Sequence, residues 1–249
     1  MNEQGNIVNF RSSRRGCDDC SLNRHCVASG LSAEEQATLG AVAKHPRPLH
    51  RGERLFRAGE RLENLYIVSS GSVKLVNSTA DGLEQIVRFH LPGDLIGLDG
   101  LHADRFTTTA VALETTSICV LPIGALENLM CRMPRLQRQV LRLVGKEING
   151  ENNRIVMLSQ RSARERFAAF LLHLADQYGQ RGFSHTEFNL SMSRQDIANY
   201  LALAIETVSR LFTAFETEGL IDVDRRLVRL RAADSLRGMA DLESVPVAL

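Results

Sequence analysis

The apolar residues of this chain change their spacing once, near residue 123, and that change limits the folds it can adopt. From about Leu49 to Pro122 they come in short alternating runs, separated by turn signals such as Pro92-Gly93-Asp94. Many short runs at regular spacing predict the strands of a β-barrel, roll or sandwich. From Ile123 onward the spacing becomes helical. The predicted fold class is therefore α+β, with a β domain first and helices after it.

The composition is that of a globular protein. Of 249 residues, 44% are hydrophobic and 24% are charged, which are ordinary values. No apolar run approaches the roughly 20 residues that span a bilayer, and residues 1–15 lack the apolar segment of a signal peptide. We therefore expect a cytoplasmic protein without a membrane partner. Because the net charge is only +1, a DNA-binding site must be recognised from a local group of residues.

One predicted helix is unusually long. The stretch from about Pro134 to Ser159 has no internal proline, and its length exceeds the average of about 11–12 residues. Apolar residues recur in it at alternating steps of three and four, once a glutamate is counted, which is typical of a dimeric coiled-coil seam. The alternative is a helix that packs within its own domain. The predicted seam consists of Leu141, Val144, Ile148, Glu151, Ile155 and Leu158.

The C-terminal part has the pattern of a winged helix-turn-helix. Two short helical stretches lie close together at about 193–218, and a hairpin pattern follows at 220–230. On the second helix, Glu206, Ser209 and Arg210 share one face near the N-terminus, where a recognition helix meets base edges. Arg210 can bond guanine bidentately, and Glu206 can accept from cytosine N4–H. The alternative is a surface helix with an ordinary Glu–Arg pair.

Three of the five cysteines lie close together, as Cys17, Cys20 and Cys26. In a reducing cytoplasm, clustered cysteines more often bind metal or do redox chemistry than form disulfides. Three thiolates can hold one face of an iron–sulfur cluster, but a cubane needs a fourth ligand. The spacing does not choose between Cys119 and Cys131 for that role, and a zinc site with four thiolates is an alternative.

The segments Asp196-Ile-Ala-Asn-Tyr-Leu201 and Glu206-Thr-Val-Ser-Arg210 resemble the DNA-binding helices of the CRP/FNR regulators. The chain is most similar to the FNR branch, the oxygen-responsive fumarate and nitrate reduction regulators, from about Cys17 to Arg231. The resemblance implies a β-roll like that of cyclic-nucleotide-binding domains, a long dimerisation helix and a C-terminal winged helix-turn-helix. It also implies that the three residues of the recognition face read a TTGAT-type half-site. The chain departs from its relatives in the turn Ala202-Leu-Ala204, where Gly and Thr are usual, and Ala204 cannot cap the second helix.

The resemblance also implies a [4Fe–4S] cluster. In FNR-type proteins three N-terminal cysteines and one from the β-roll hold it, and these match Cys17, Cys20, Cys26 and Cys119. Cys131 is then an ordinary small residue. His25 stands beside the cluster where a bulky apolar residue is common. It could hydrogen-bond a sulfur or point to solvent, and we hypothesise that oxygen reactivity differs from the family norm.

The β-roll lacks the residues with which cyclic AMP members of the family hold their ligand. Leu98 lies where those members have Glu, and Thr107-Thr108-Thr109 replaces their Arg-Ser pair, with Arg105 displaced from it. A cyclic phosphate needs that charge-assisted contact. We therefore expect no cyclic AMP binding and a relay role for the roll.

Together these features predict a transcription regulator and not an enzyme. Bound cluster would promote homodimerisation and binding of double-stranded DNA at a palindromic site under low oxygen. Glu151 would face its own copy across the two-fold axis and restrain the cluster-free dimer, unless it points to solvent. RNA polymerase is an expected partner, through loops such as that at Asp81-Gly82. The alternative is a regulator that responds to a small ligand or haem without a cluster. The predicted divisions are a cysteine-bearing segment (1–30), a sensory β-roll (31–133), a dimerisation helix (134–160) and a DNA-binding domain (161–249).

Overall fold

In a computed structural model of this chain, the structure describes Cys17, residues 20–79 and residues 81–240. The predicted segment 1–30 and the predicted domain 161–249 extend in part outside the described residues. The first helix, α1 (Ala33–Val42), begins with the predicted capping box: the Ser32 hydroxyl accepts from the Glu35 N–H, and the Glu35 carboxylate accepts from the Ser32 N–H.

Seven antiparallel strands then form the roll. A four-stranded sheet has the order β1-β6-β3-β4, and a three-stranded sheet has the order β5-β2-β7. A 3-10 helix at Leu98–His102 lies between β5 and β6. The strands are β1 (Arg54–Phe56), β2 (Asn64–Ser70), β3 (Val73–Ser78), β4 (Glu84–His90), β5 (Leu95–Ile96), β6 (Thr109–Ala112) and β7 (Ser117–Pro122).

Two helices follow the roll, and the second is the predicted long one. The short helix α2 (Ile123–Arg132) is followed directly by α3 (Pro134–Gln160), which has 27 residues. Pro134 occupies the first turn of α3, where the missing N–H costs no helical hydrogen bond. Only Leu136 and Val140 of this long helix are fully buried. Both belong to the core of the roll.

The C-terminal part is a helix-turn-helix with a three-stranded wing. The sequence predicted its two short helices and the hairpin, but not the third strand β8, which pairs with β10, nor the last helix. A second hydrophobic core holds this part together. Its elements are α4 (Ala163–Gln180), β8 (Glu187–Asn189), α5 (Arg194–Leu201), α6 (Ile205–Thr217), β9 (Ile221–Asp224), β10 (Leu227–Leu230) and α7 (Ala233–Ala240).

The predicted fold class is therefore confirmed: a β-roll, a long helix and a winged helix-turn-helix follow one another. Among the helices of the described ranges, none has the length and apolar character that a membrane crossing requires.

Candidate functional site

Four of the five cysteines lie where the N-terminal segment meets the roll. Cys17 and Cys20 are half-buried, Cys26 is buried, and Cys119 is buried on β7. We refer to these four as the cysteine group. Cys131 is exposed on α2. All five cysteines are among the described residues, and no disulfide joins them.

The thiols of the cysteine group act on one another electrostatically. The pKa of Cys119 is raised to about 12, mainly by burial and further by the three other thiols of the group. Burial also raises the pKa of Cys26 to about 11, against the hydrogen bond that the Ala28 N–H donates to its sulfur at 3.4 Å. Thiolates, not thiols, bind metals. Thiols in such an environment are therefore deprotonated readily only beside a cationic centre.

Two glycines let the N-terminal segment approach the rest of the protein closely. A Cβ added to Gly40 of α1 would lie 2.9 Å from the backbone nitrogen of Cys17. A Cβ added to Gly93 would lie 2.9 Å from the carbonyl oxygen of His25, and Gly93 has a φ of +96° that side chains disfavour. Any larger residue at either position would displace the segment that carries three members of the cysteine group.

The donor set of the cysteine group fits an iron–sulfur cluster. Among the described residues, no three His, Cys, Asp or Glu side chains converge on the position of one metal ion. Four thiolates are also the donor set of one class of structural zinc site. A [4Fe–4S] cluster is held by four cysteine thiolates, each on a different iron atom, so its ligands are spread around a larger body. The cysteine group supplies four thiols, which is the number of ligands that such a cluster requires.

The cysteine group is in direct contact with the start of α3. Cys26 and Cys119 share one hydrophobic core with Leu136 and Val140 of that helix. The Gln139 side-chain amide also donates to the Cys26 carbonyl oxygen at 3.4 Å. A change in the cysteine-bearing segment therefore acts directly on the first turns of the long helix.

Further along α3, the predicted seam is uncovered. Leu141, Ile148 and Ile155 are 63%, 59% and 63% exposed, and Val144 and Leu158 are half-buried. Large apolar side chains in a row on one helix face mark a surface for association. The geometry agrees with the predicted seam, whose role in dimerisation stays a prediction.

Glu151 does not simply point to solvent, because Arg88 of β4 holds it. The Arg88 guanidinium donates to the Glu151 carboxylate at 2.8 Å and to the Glu147 carboxylate at 2.8 Å. Burial raises the pKa of Glu147, and the charge of Arg88 opposes this rise. Sequence reasoning missed Arg88, because a lone arginine within an alternating strand carries no signal of its distant partners.

The predicted recognition face is free to contact DNA. Glu206, Ser209 and Arg210 are all exposed on the first turns of α6. Among the described residues, Glu206 and Arg210 form no ion pair with each other or with another side chain, and the Ser209 hydroxyl donates to the Ile205 carbonyl oxygen at 2.9 Å. The opposite side of α6 is buried in the C-terminal core through Val208, Phe212 and Phe215.

The turn between α5 and α6 carries the predicted departure. Ala202 has a φ of +53°, the left-handed region that favours glycine. Ala204 is the N-cap of α6, and no side chain caps the helix there. Both features leave the recognition helix less stable than Gly and Thr would at these positions.

The helix-turn-helix is docked on the roll through α5. Lys74 of β3 pairs with Asp196 at 2.6 Å. Burial alone would raise the pKa of Asp196, but the bonds from Lys74 and Ser193 outweigh it and lower the pKa. The Asn199 side chain accepts from the Ile86 N–H at 2.5 Å and also donates to the roll. No spacing pattern of these residues predicts this contact.

The threonines that replace the Arg-Ser pair of cyclic AMP members donate to a carboxylate from the 3-10 helix. One oxygen of Asp99 accepts from the N–H and hydroxyl of Thr107 at 3.0 and 2.8 Å. The same oxygen accepts from the N–H and hydroxyl of Thr108, both at 3.0 Å. Sequence reasoning noted the threonines but missed their acceptor, Asp99. The available signal was an aspartate eight residues before a Thr-Thr-Thr run.

Two protein families match this chain. The family described as Cyclic nucleotide-binding domain matches residues 46–132, which include the strands of the roll. The family described as Crp-like helix-turn-helix domain matches residues 165–239.

Known proteins match over most of the chain. The Transcriptional activator protein FnrA of Stutzerimonas stutzeri is 40% identical over 94% of this chain and 96% of its own length. The Fumarate and nitrate reduction regulatory protein of Escherichia coli is 39% identical over 90% of each chain. Among solved structures, FixK2 from Bradyrhizobium japonicum matches with a TM-score of 0.72 and 28% identity, over 80% of this chain and 97% of that one.

Proposed function

Because this chain belongs to the FNR branch of the CRP/FNR family of transcription regulators, we propose that it senses oxygen through a [4Fe–4S] cluster and binds DNA as a dimer when the cluster is present. The proposal assigns the cluster to the cysteine group. The observation that carries it is the shared core, in which two of these cysteines pack with the start of α3. The site that would sense oxygen is thus part of the element that would pair two subunits.

The choice of Cys119 as the fourth ligand rests on its surroundings. It is buried and within electrostatic range of the other three thiols. Cys131 is exposed on α2 and contributes to the pKa of neither Cys26 nor Cys119. The cluster supplies the reaction with oxygen, and the chain holds the thiolates and excludes water from the two buried ones.

The proposed switch acts through α3. Leu136 and Val140 share the core of the roll with Cys26 and Cys119 and fix the position of the helix there. The exposed seam beyond them pairs with a second copy. Glu151 restrains pairing, because two copies of this carboxylate approach each other across the two-fold axis. Arg88 lessens that repulsion by holding the carboxylate on the roll.

The dimer presents two recognition helices to one palindromic site. In helix-turn-helix dimers the two half-sites are about 34–36 Å apart, one turn of DNA. Arg210, Glu206 and Ser209 face the base edges of a TTGAT-type half-site. All three are exposed, and among the described residues Glu206 and Arg210 have no side-chain partner, which supports this role. Regulation of RNA polymerase, through surfaces such as the Asp81-Gly82 loop, stays a prediction.

We do not expect cyclic AMP to act on this protein. The hydrogen-bond donors of Thr107 and Thr108 are already directed at the Asp99 carboxylate. A cyclic phosphate would bring a second negative charge to the same place without an arginine to offset it.

His25 remains a candidate for tuning oxygen reactivity. Its side chain is exposed beside Cys26, and among the described residues it donates no hydrogen bond to a cysteine sulfur. Replacing His25 by Leu and timing cluster decay in air tests the proposal. Unchanged decay would show that this position has no part in oxygen reactivity.

The test of the proposed function is the absorbance spectrum and iron content of protein purified without oxygen. We expect a broad band from cysteine-ligated iron and sulfide, with about four iron atoms per chain, that decays in air. Cys119→Ser is the test variant and Cys131→Ser the matched control. The first should lose the band and the iron, and the second should keep both.

Other outcomes would redirect the proposal. If Cys131→Ser loses the cluster and Cys119→Ser keeps it, the ligand assignment is wrong. A colourless wild-type protein that binds DNA equally well in air would overturn the sensor proposal, and it would favour the alternative of a regulator that responds to a small ligand or haem.

A further inference from the structure

A basic hollow of about 270 Å³ lies beside the cysteine-bearing segment. Three parts of the chain form it: Arg24 and His25 of the N-terminal segment, the middle of α3, and the end of α4. From α3 come Arg142 and Lys146, which are four residues apart and share one helix face. Arg181, just after α4, completes the basic lining.

The charges around the hollow are not balanced. Arg24, Arg142 and Lys146 are exposed, and none of them forms an ion pair or side-chain hydrogen bond with a residue that the structure describes. No Asp or Glu of the described ranges lines the hollow. Like charges brought together repel one another. A bound anion would reduce this repulsion and accept charge-assisted hydrogen bonds from several cations.

Arg181 has a different role in the same wall. Its side chain is 4% exposed and is held by the Asp94 carboxylate and the Pro92 carbonyl oxygen, both at 2.6 Å. Its guanidinium is therefore fixed in place, and it forms a rigid floor between the roll and α4. The exposed cations Arg24, Arg142 and Lys146 lie around this fixed one.

The hollow lies away from the predicted dimer seam. In an α-helix each residue is rotated by about 100° from the one before it. Arg142 follows the seam residue Leu141 by one position, and Lys146 precedes the seam residue Ile148 by two, so both point well away from the seam. A second copy paired along α3 would leave the hollow open to solvent.

We propose that this hollow binds a small multivalent anion of the phosphate class, such as pyrophosphate. Its volume is just below the roughly 300–1,000 Å³ of typical ligand pockets, which suits an anion of this size. The anion would join Arg24, two residues before Cys26, to Arg142 and Lys146 on α3. It would therefore hold the cysteine-bearing segment against the long helix.

The test is calorimetric titration of the full chain, purified without oxygen, with sodium pyrophosphate. We expect one saturable site per chain. The double variant Arg142→Gln/Lys146→Gln should weaken binding by at least about tenfold, the loss expected for a charge-assisted hydrogen bond. The matched control is Arg51→Gln/Arg132→Gln, which removes two exposed arginine charges outside the hollow. It should bind within about twofold of wild type.

Two results would overturn the proposal. Equal weakening in both double variants, or no binding by the wild type, would show that the hollow is not an anion site. DNA is the other source of phosphate. If wild type does not bind pyrophosphate, but only the hollow variant loses affinity for duplexes extended beyond the palindrome, the hollow contacts flanking DNA and not a free anion.

Discussion

The two halves of α3 lie in opposite environments, although one continuous helix carries both. The first half places Leu136 and Val140 in the core that contains two members of the cysteine group, where they are 0% and 7% exposed. The second half leaves Ile148 and Ile155 59% and 63% exposed. One half is buried within a single chain, and the other leaves its apolar side chains exposed.

This difference shows how one helix can join a sensor to an association surface. Interiors are close-packed, so a change beside a buried side chain displaces its neighbours. An exposed apolar seam, by contrast, gains its free energy only when another surface covers it. A structural change at the cysteines would therefore displace the buried half of α3 and alter association through the exposed half.

The largest expected effect comes from truncating one buried residue and one exposed seam residue of α3. Leu136→Ala should lower the free energy of unfolding by about 2–5 kcal/mol, because it leaves a cavity in the core. Leu141→Ala, at 63% exposure, should change the unfolding of the monomer by less than about 0.5 kcal/mol. Chemical denaturation of the aerobic protein at low concentration measures both.

The same two variants should have the opposite order of effect on dimer association. Leu141→Ala should weaken the anaerobic dimer in sedimentation experiments, with its fold intact. If Leu141→Ala instead destabilises the monomer as much as Leu136→Ala does, the apolar face of α3 that carries Leu141 packs within its own chain and is not a seam.

A second prediction concerns the loss of stability in acid that the buried His90 should cause. His90 of β4 is 3% exposed, and its Nε2 has no hydrogen-bond partner among the described residues. Burial lowers its pKa from 6.5 to about 4, with Arg88 and Arg181 adding to this effect and Asp94 and Asp99 opposing it. The unfolded chain thus binds the proton more tightly. Stability contributed by neutral His90 is complete above about pH 6.5 and is lost as pH falls towards 4, by about 3 kcal/mol in all.

The variant His90→Gln should remove most of this pH dependence. Urea denaturation of cluster-free protein between pH 4.5 and 7 measures it, with the exposed His102→Gln as the control. Parallel pH profiles for wild type and His90→Gln would mean that the histidine is not buried as a neutral group.

A smaller effect is expected where the roll meets the seam. Glu151→Ala should strengthen the cluster-free dimer in air by about tenfold, or about 1.4 kcal/mol, because two facing carboxylates are removed. Arg88→Gln should have the opposite effect, because it leaves Glu147 and Glu151 without the guanidinium that holds them. Sedimentation equilibrium distinguishes them, and a monomer unchanged by Glu151→Ala would count against a restraining role.

The smallest effect is expected in the turn before the recognition helix. Ala202→Gly should stabilise the protein by up to about 1 kcal/mol, because glycine adopts the observed φ of +53° without steric cost. Thermal unfolding measures the change. Ala198→Gly, in the middle of α5, is the matched control and should destabilise instead. If Ala202→Gly also destabilises, this turn stores no strain.

Much of this arrangement was predictable from periodicity. The change of spacing near Ile123 predicted the order of β domain and helices, and the three-four repeat predicted which side of α3 would be apolar. Both signals are local, because strand and helix geometry fix which neighbouring residues share a face. The capping box at Ser32 was predictable for the same reason.

The contacts between distant parts of the chain were not predictable. The ion pairs of Arg88 with α3 and of Lys74 with Asp196 join residues far apart in sequence, and no spacing rule connects them. The fourth cysteine shows the same limit. Spacing left Cys119 and Cys131 as alternatives, and the resemblance to the FNR branch chose Cys119. The folded chain adds a physical difference, because Cys119 is buried on a strand and Cys131 is exposed on a helix.

The central claim is that oxygen acts on the cysteine group and that α3 carries the effect to the DNA-reading helix. The most direct test follows binding to a labelled TTGAT palindrome and sedimentation in one anaerobic sample, before and after air is admitted. We predict a dimer that binds the palindrome, and then loss of both the dimer and DNA affinity, with Cys119→Ser inactive from the start. Equal DNA affinity before and after air, in wild type and in Cys119→Ser, would contradict it.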